Sequence, residues 1–233
     1  MLTWGDAIPA GTKSILLSGG SNMAGVVDLE PYQEQIIELK QKYKINAHLG
    51  LLTYLPAYSL SSLLDVVSFD FPASERVILE VYHLDKTMAD YIQSYQLLSE
   101  ILPVEVHLTV GLEFGKVQGE FEVLKLLSEL GVKQLVLNVF VPTAGTAMAE
   151  LAAPPLSDVV KVFAKARELF KKVSLGCMRP AGKYREALDL GALDLGFDII
   201  VQATTKVREE AQQRGLEIKE FDECCAFLLV EGG

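Results

Sequence analysis

Short polar or glycine-containing segments that directly follow apolar runs are the features of this chain that could do chemistry. The first is Ser18-Gly19-Gly20, which comes after the apolar residues 15–17. Glycines at such a turn leave backbone N–H groups uncovered, so the turn can bind a carboxylate, an amine or a phosphate. A tight structural turn uses the same residues, and the sequence leaves both interpretations open.

Two histidines and one aspartate lie inside or at the end of apolar runs. His48 and His107 could orient a substrate or move protons, although hydrogen-bonded core histidines give the same pattern. Asp70 follows the run 66–69 and could accept a hydrogen bond from a ligand or cap a turn. Neither an HxH nor an HxxxH pair is present, so the spacing predicts no metal site.

Three later segments have the same design of an apolar run followed by small or polar residues. Gly111 and Glu113 follow one run, and a Pro-Thr-Ala-Gly-Thr turn follows another at 142–146. Cys177 and Arg179 follow a third. A partly exposed arginine there would suit a carboxylate or a phosphate, whereas Cys177 could also be an inert buried thiol.

These segments recur because strands and helices alternate along the chain. The predicted strands are 14–18, 45–51, 66–69, 104–110, 134–141, 172–175 and 198–201. The predicted helices are 31–43, 59–64, 86–102, 120–130, 156–170, 183–190 and 204–214. This alternation predicts an α/β protein with a TIM-type (β/α) barrel, incomplete with about seven parallel strands, whose site lies at the carboxyl ends of the strands.

Composition is consistent with one domain over residues 1–233, with an N-terminal segment at 1–13 and an extended C-terminal tail at 216–233. Half of the residues are hydrophobic, as expected for buried parallel strands. The net charge of −10 argues against a nucleic-acid partner. No long apolar run and no signal-peptide pattern is present, so we expect a cytoplasmic protein without membrane contact.

The cysteines do not form a disulfide framework, because there are three and two of them are adjacent. Cys224 and Cys225 would point to opposite faces of an extended tail. One of them near Cys177 could form a redox pair or share a site with it, but we expect structural roles for these cysteines instead.

Taken together, the segments resemble the radical S-adenosylmethionine superfamily, in its biotin-synthase-like branch. The resemblance rests on residues 16–21, 111–120, 138–146 and 175–182, and on Glu-Cys-Cys at 223–225. The family also carries a CxxxCxxC loop that binds a [4Fe–4S] cluster, and this sequence has no such loop and no ligands for the cluster.

The resemblance implies two groups of site residues. S-adenosylmethionine would be bound by Ser18, Gly19, Gly20, Gly111, Glu113 and Val141. The substrate would be bound by His48, Asp70, His107, Asn138, Cys177 and Arg179.

Three functions follow from these features. The first is a protein related to biotin and lipoyl synthases that binds S-adenosylmethionine or a similar small charged metabolite, without its cluster-binding unit. The second is a non-catalytic partner or scaffold of a two-component radical enzyme, with a protein partner or a second copy of the chain at the open barrel flank. The third is an unrelated TIM-barrel lyase, for which no lysine stands at a predicted strand end to form a Schiff base.

Overall fold

Seven parallel strands form a single curled sheet in the computed structural model, which describes residues 6–52 and 59–227. The strands are β1 (Ser14–Leu17), β2 (Lys44–His48), β3 (Val66–Asp70), β4 (Val104–Val110), β5 (Gln134–Val139), β6 (Lys172–Leu175) and β7 (Ile199–Ile200). Each strand pairs with the next one along the chain, and every pairing is parallel. The sheet is an incomplete TIM-type barrel, so the predicted fold class is confirmed.

An α-helix follows each of the seven strands. These helices are α1 (Gln33–Lys40), α2 (Leu60–Leu63), α3 (Met88–Ser99), α4 (Glu120–Glu129), α5 (Leu156–Leu169), α6 (Lys183–Asp194) and α7 (Thr205–Gln213). Helix α3 begins with a capping box, in which Thr87 and Asp90 each bond the other's backbone N–H. Among the described residues, no helix is long and apolar enough to cross a membrane.

The two faces of the sheet differ in chemistry because strand side chains alternate in direction. One face is apolar and packs against the helices, as Phe69 and Leu108 do in the main core. The other face lines the hollow of the half-barrel and carries many polar side chains. The strand register places Ser68 beside Glu105, and Asp70 beside His107, on this concave face.

Part of the C-terminal tail lies in the hollow. Cys224 and Phe227 pack near Val66, and Cys225 packs against Val136. Residues 225–227 form a helical turn, so the expectation of an extended tail is wrong there. We call residues 223–227 the C-terminal segment. Residues 1–5 of the predicted N-terminal segment and 228–233 of the predicted tail lie outside the described residues.

Strand β2 is shorter than predicted and ends at His48 instead of Leu51. Beyond His48 the backbone bonds to the loop after β1: Val27 N–H donates to Leu49 O, and Leu51 N–H donates to Gly25 O. This local pairing replaces the strand ladder and places His48 at the carboxyl end of β2. Strand β5 likewise ends at Val139 instead of Val141.

Candidate functional site

His48 and Asp70 are the last residues of β2 and β3, and they meet His107 from the middle of β4. His48 Nδ1 lies 2.8 Å from Asp70 Oδ2, and His107 Nδ1 lies 3.8 Å from Asp70 Oδ1. The two imidazole rings are 5.5 Å apart between centroids and meet edge to face. We call these three residues the His–Asp–His cluster. The structure therefore brings together three of the residues predicted to bind a substrate.

The cluster is accessible from one side. The Asp70 side chain is 51% exposed and that of His48 is 24% exposed, whereas that of His107 is only 8% exposed. Exposure of the side chains is therefore highest at Asp70 and lowest at His107. A ligand can therefore reach the carboxylate directly while His107 forms the buried side of the site.

The protonation states within the cluster differ. Burial lowers the pKa of His48, but the hydrogen bond to Asp70 and its negative charge outweigh burial and raise that pKa above its usual value. Burial raises the pKa of Asp70, but the bond and charge of His48 bring it below the usual value. Burial lowers the pKa of His107 to about 4. At neutral pH, Asp70 is thus ionised and His107 is neutral.

A layer of polar side chains lies on the concave face next to the cluster. Asn46 Nδ2 donates to Ser68 Oγ over 2.9 Å, and the Ser68 hydroxyl donates back to Asn46 Oδ1 over 3.1 Å. Asn46 Nδ2 also lies 3.6 Å from Cys224 Sγ. A hydrogen bond from Cys225 lowers the pKa of the Cys224 thiol. The C-terminal segment thereby borders the cluster from inside the half-barrel.

Neutral phenols lie near the cluster as well. Burial raises the pKa of Tyr91 to about 12, and the negative charge of Asp70 adds to this shift. Burial and the charge of Asp70 also raise the pKa of Tyr82, which follows a π-helix over Val77–Val81. Both phenols therefore stay uncharged at physiological pH, so they add no second negative charge beside Asp70.

Asn138 lies on β5, one strand beyond His107 and on the same concave face. It is buried, and its Oδ1 has no hydrogen-bond partner among the described residues. A Cβ atom on Gly176 would overlap this oxygen, which explains why position 176 is glycine. The prediction that Asn138 contacts a ligand stays a prediction.

Arg179 and Cys177 follow β6 and lie apart from the His–Asp–His cluster. Arg179 is buried, so the expectation of a partly exposed arginine is wrong. Its guanidinium donates to Asp189 Oδ1, to Gly176 O and to Val201 O over 2.8, 2.6 and 2.8 Å. These bonds hold the loop after β6 to α6 and to the end of β7. Cys177 is exposed and not disulfide-bonded.

Gly111 and Glu113, expected to bind a cofactor, make internal contacts. The Gly111 N–H donates to Glu120 Oε1 over 2.7 Å, and a Cβ at position 111 would be 2.6 Å from the Pro154 ring. Glu113 accepts from Ser74 Oγ over 2.7 Å and from Arg76 over 3.1 Å. Both positions therefore have a structural explanation.

The remaining predicted cofactor residues lie in connecting segments. Ser18, Gly19 and Gly20 are exposed after β1, and Val141 is half-buried after β5. Binding of a small anion by the glycine turn stays a prediction.

The polar layer at Asn46 and Ser68 was not predicted, although the sequence contains a signal for it. Asn46 and His48 are two residues apart in an apolar strand, as are Ser68 and Asp70 on β3. Side chains two apart share a face of a strand, so this spacing indicates a polar face on a buried sheet. No comparable signal indicates that Cys224 reaches the same face, because 178 residues separate it from Asn46.

Comparison with known proteins supports the fold. No protein-family model matches the sequence, and no curated protein matches it significantly. A solved structure of an HMG-CoA lyase from Acenitobacter baumannii, in complex with coenzyme A and 3-methylmalate, is similar with a TM-score of 0.53. The match has 11% sequence identity and covers 82% of this chain and 70% of the lyase chain. At this identity the similarity concerns the fold alone.

This similarity corrects the expected relationship. The chain resembles a lyase in fold, so assignment to the radical S-adenosylmethionine superfamily, with S-adenosylmethionine and an iron–sulfur cluster as cofactors, is wrong. The motifs that suggested it are the strand-end glycines and polar residues of a barrel, which recur wherever such strands end at a common opening.

Proposed function

We propose that this protein is a TIM-barrel lyase that cleaves a carbon–carbon bond in a small hydroxy carboxylate at the His–Asp–His cluster. The observation that carries the proposal is the meeting of His48 and Asp70, which end two neighbouring barrel strands, with His107 on the third strand. Active sites of TIM-barrel enzymes lie at this end of the strands. The similarity in fold to a lyase supports the reaction class.

The reaction class sets two chemical requirements. Cleaving the bond beside a hydroxyl-bearing carbon removes the hydroxyl proton and moves negative charge onto a neighbouring carboxylate or carbonyl oxygen. The cluster has a basic nitrogen held by Asp70 for the first requirement and buried imidazole edges for the second. The same three side chains can thus accept the hydroxyl proton on one side of the breaking bond and stabilise the negative charge on the other.

The substrate class follows from the chemistry of the similar lyase and from the shape of this site. The 3-methylmalate in that structure carries a hydroxyl on the carbon β to one of its carboxylates. In this chain the C-terminal segment occupies the hollow beside Asn46. That leaves the open side at Asp70, which suits a compact substrate. A β-hydroxy carboxylate, free or as a thioester, is the class that we propose.

Purified full-length protein should be tested against β-hydroxy dicarboxylates, including 3-methylmalate, and against β-hydroxyacyl thioesters. The buffer should contain divalent cations, and a hydrazine reagent would detect the carbonyl product. We expect turnover with at least one compound. Asp70→Asn should lower kcat/KM by about 100-fold or more, because positioned acid–base groups contribute on the order of 10²–10⁴.

Asp85→Asn is the matched control, because Asp85 is exposed in the connection after the π-helix. It should keep the activity of the unmodified protein. Absence of turnover with every compound, from protein that unfolds cooperatively, would contradict the proposal. Equal activity of the two variants would also contradict it, because the reaction would then not depend on the cluster.

A further inference from the structure

We infer that the His–Asp–His cluster is a binding site for one divalent transition-metal ion. One ligand atom from each of His48, Asp70 and His107 can be chosen so that all three lie within 4.8 Å of one another. Metal–ligand bonds of about 2.0–2.2 Å to nitrogen and oxygen place ligands about 3–4 Å apart. The three donors therefore need to move together by only a small amount to surround one ion.

The backbone makes this arrangement a rigid one. The ligands come from three neighbouring parallel strands, and Asp70 is in direct register with His107. Strand positions hold their side chains more reproducibly than loops do. Because the Asp70 carboxylate is half exposed, positions of the ion opposite the protein would remain available to a ligand.

A second observation points to a missing partner at the site. His107 is more than nine-tenths buried, and its Nε2 has no hydrogen-bond partner among the described residues. Its Nδ1 is 3.8 Å from Asp70 Oδ1, which is beyond hydrogen-bond distance. Buried polar atoms are nearly always satisfied. A cation bound by a ring nitrogen would supply a partner to this imidazole.

The donor set selects the class of ion. Two imidazole nitrogens and one carboxylate oxygen suit zinc, manganese, iron or cobalt. Calcium and magnesium prefer sites made of oxygen atoms. The spacing of histidines did not favour a metal, because the ligands come from separate strands and only the fold brings them together.

The inference deepens the proposed lyase. With the ion bound, the three side chains would be its ligands, and the cation would take over the role of the free imidazoles by polarising the substrate's oxygen atoms and making its hydroxyl more acidic. Only this role rests on the proposed function. Binding of the ion rests on the geometry of the cluster, and it is measurable without any substrate.

The test is a titration of full-length, chelator-treated protein with Co²⁺, followed by calorimetry and visible absorption. We expect saturable binding of one equivalent. Asp70→Asn and His107→Gln should each weaken binding by about 100-fold or more, because losing even a partner of a ligand costs 10–100-fold. Asp70 is half exposed, so its variant keeps the test valid if His107→Gln fails to fold.

His83→Asn is the matched control, because His83 is the one histidine outside the cluster and is exposed. Asparagine tolerates its positive φ of 55°. This variant should bind Co²⁺ as the unmodified protein does.

Three outcomes would overturn the inference. They are no saturable binding, unchanged affinity in Asp70→Asn, and a thiolate–metal absorption band that disappears in Cys224→Ser but persists in Asp70→Asn. Binding of Co²⁺ without lyase turnover would leave the metal site standing and remove the proposed function. Turnover that persists in metal-free, chelator-containing buffer would remove the cation's role in the reaction and leave the proposed function standing.

Discussion

The His–Asp–His cluster and the pair of Arg179 with Asp189 are two groups of ionisable side chains that differ in how completely the protein satisfies their polar atoms. Arg179 and Asp189 are both fully buried as side chains and are joined by a 2.8 Å bond. Arg179 also donates to backbone carbonyls, and Asp189 Oδ2 accepts from Thr204 N–H over 2.8 Å. In the His–Asp–His cluster, by contrast, Asp70 is half exposed, and His107 Nε2 has no hydrogen-bond partner within the described part of the chain.

This difference distinguishes ionisable groups that stabilise the fold from those that can bind a ligand. A buried ion pair whose bonds all go to the same protein has nothing left for a ligand, and its partners hold loops together. A cluster with an accessible carboxylate and an unsatisfied imidazole still has bonds to form. Both groups place an aspartate beside a basic side chain, so the state of the remaining polar atoms separates the two roles.

The largest expected effect is on stability in the buried pair. Arg179→Met should lower the free energy of unfolding by about 3–5 kcal/mol, because Asp189 would remain as an uncompensated buried charge. Urea denaturation followed by circular dichroism measures this loss. The double variant Arg179→Met with Asp189→Leu should lose less than the single variant, because no buried charge remains unpaired. A double variant that is less stable than the single one would refute the assignment of a purely structural pair.

Glu120 is a buried carboxylate that accepts a hydrogen bond from Gly111 N–H. Among residues 6–52 and 59–227, no cationic side chain is hydrogen-bonded to it, so it is less completely satisfied than Asp189. Burial raises its pKa from 4.5 to about 7. Folded protein therefore holds this proton more tightly than unfolded protein does. Stability contributed by the protonated form is lost as the pH rises from about 4.5 through 7.

Glu120→Gln should remove this pH dependence while keeping an oxygen for the Gly111 N–H. Between pH 4.5 and 8, the unmodified protein should lose on the order of 3 kcal/mol relative to the variant. Parallel urea titrations across this range give the difference. A constant difference in unfolding free energy at all pH values would show that Glu120 ionises alike in both states.

The smallest expected effect is the change in the free energy of unfolding when a residue of the His–Asp–His cluster is replaced. Asp70→Asn should change the free energy of unfolding by less than about 1 kcal/mol, because an ion pair with a half-exposed partner contributes little. Thermal and urea unfolding would measure the change. A loss comparable to that of Arg179→Met would mean that both groups of charges serve the fold, and the comparison would fail.

Much of the fold was predictable from local patterns. Strands β4 and β6 have the predicted bounds, and the seven strands lie in chain order as parallel neighbours. Helix α4 begins at Glu120 as predicted, after a glycine. These features depend on short apolar runs and on the residues that end them. Both signals involve only residues that are close together in the sequence.

The site was predictable only in part. His48 and His107 were recognisable as polar residues inside apolar strands and Asp70 as one at a strand end, but nothing local showed that these three meet while Arg179 is fully bonded within the protein. The C-terminal segment was expected to be extended, whereas residues 225–227 form a turn in the hollow. Its position depends on packing against Val66 and Val136, which lie far away in the sequence.

The amino-acid sequence by itself determined the alternation of strands and helices, because hydrophobic periodicity and turn residues act over neighbouring positions. It also determined that polar side chains two residues apart would share one face of a strand. Only the tertiary structure decided which of those side chains meet, which are buried and which stay accessible. The pairing of β2, β3 and β4 joins residues 22 to 59 positions apart, and burial is a property of everything packed around them.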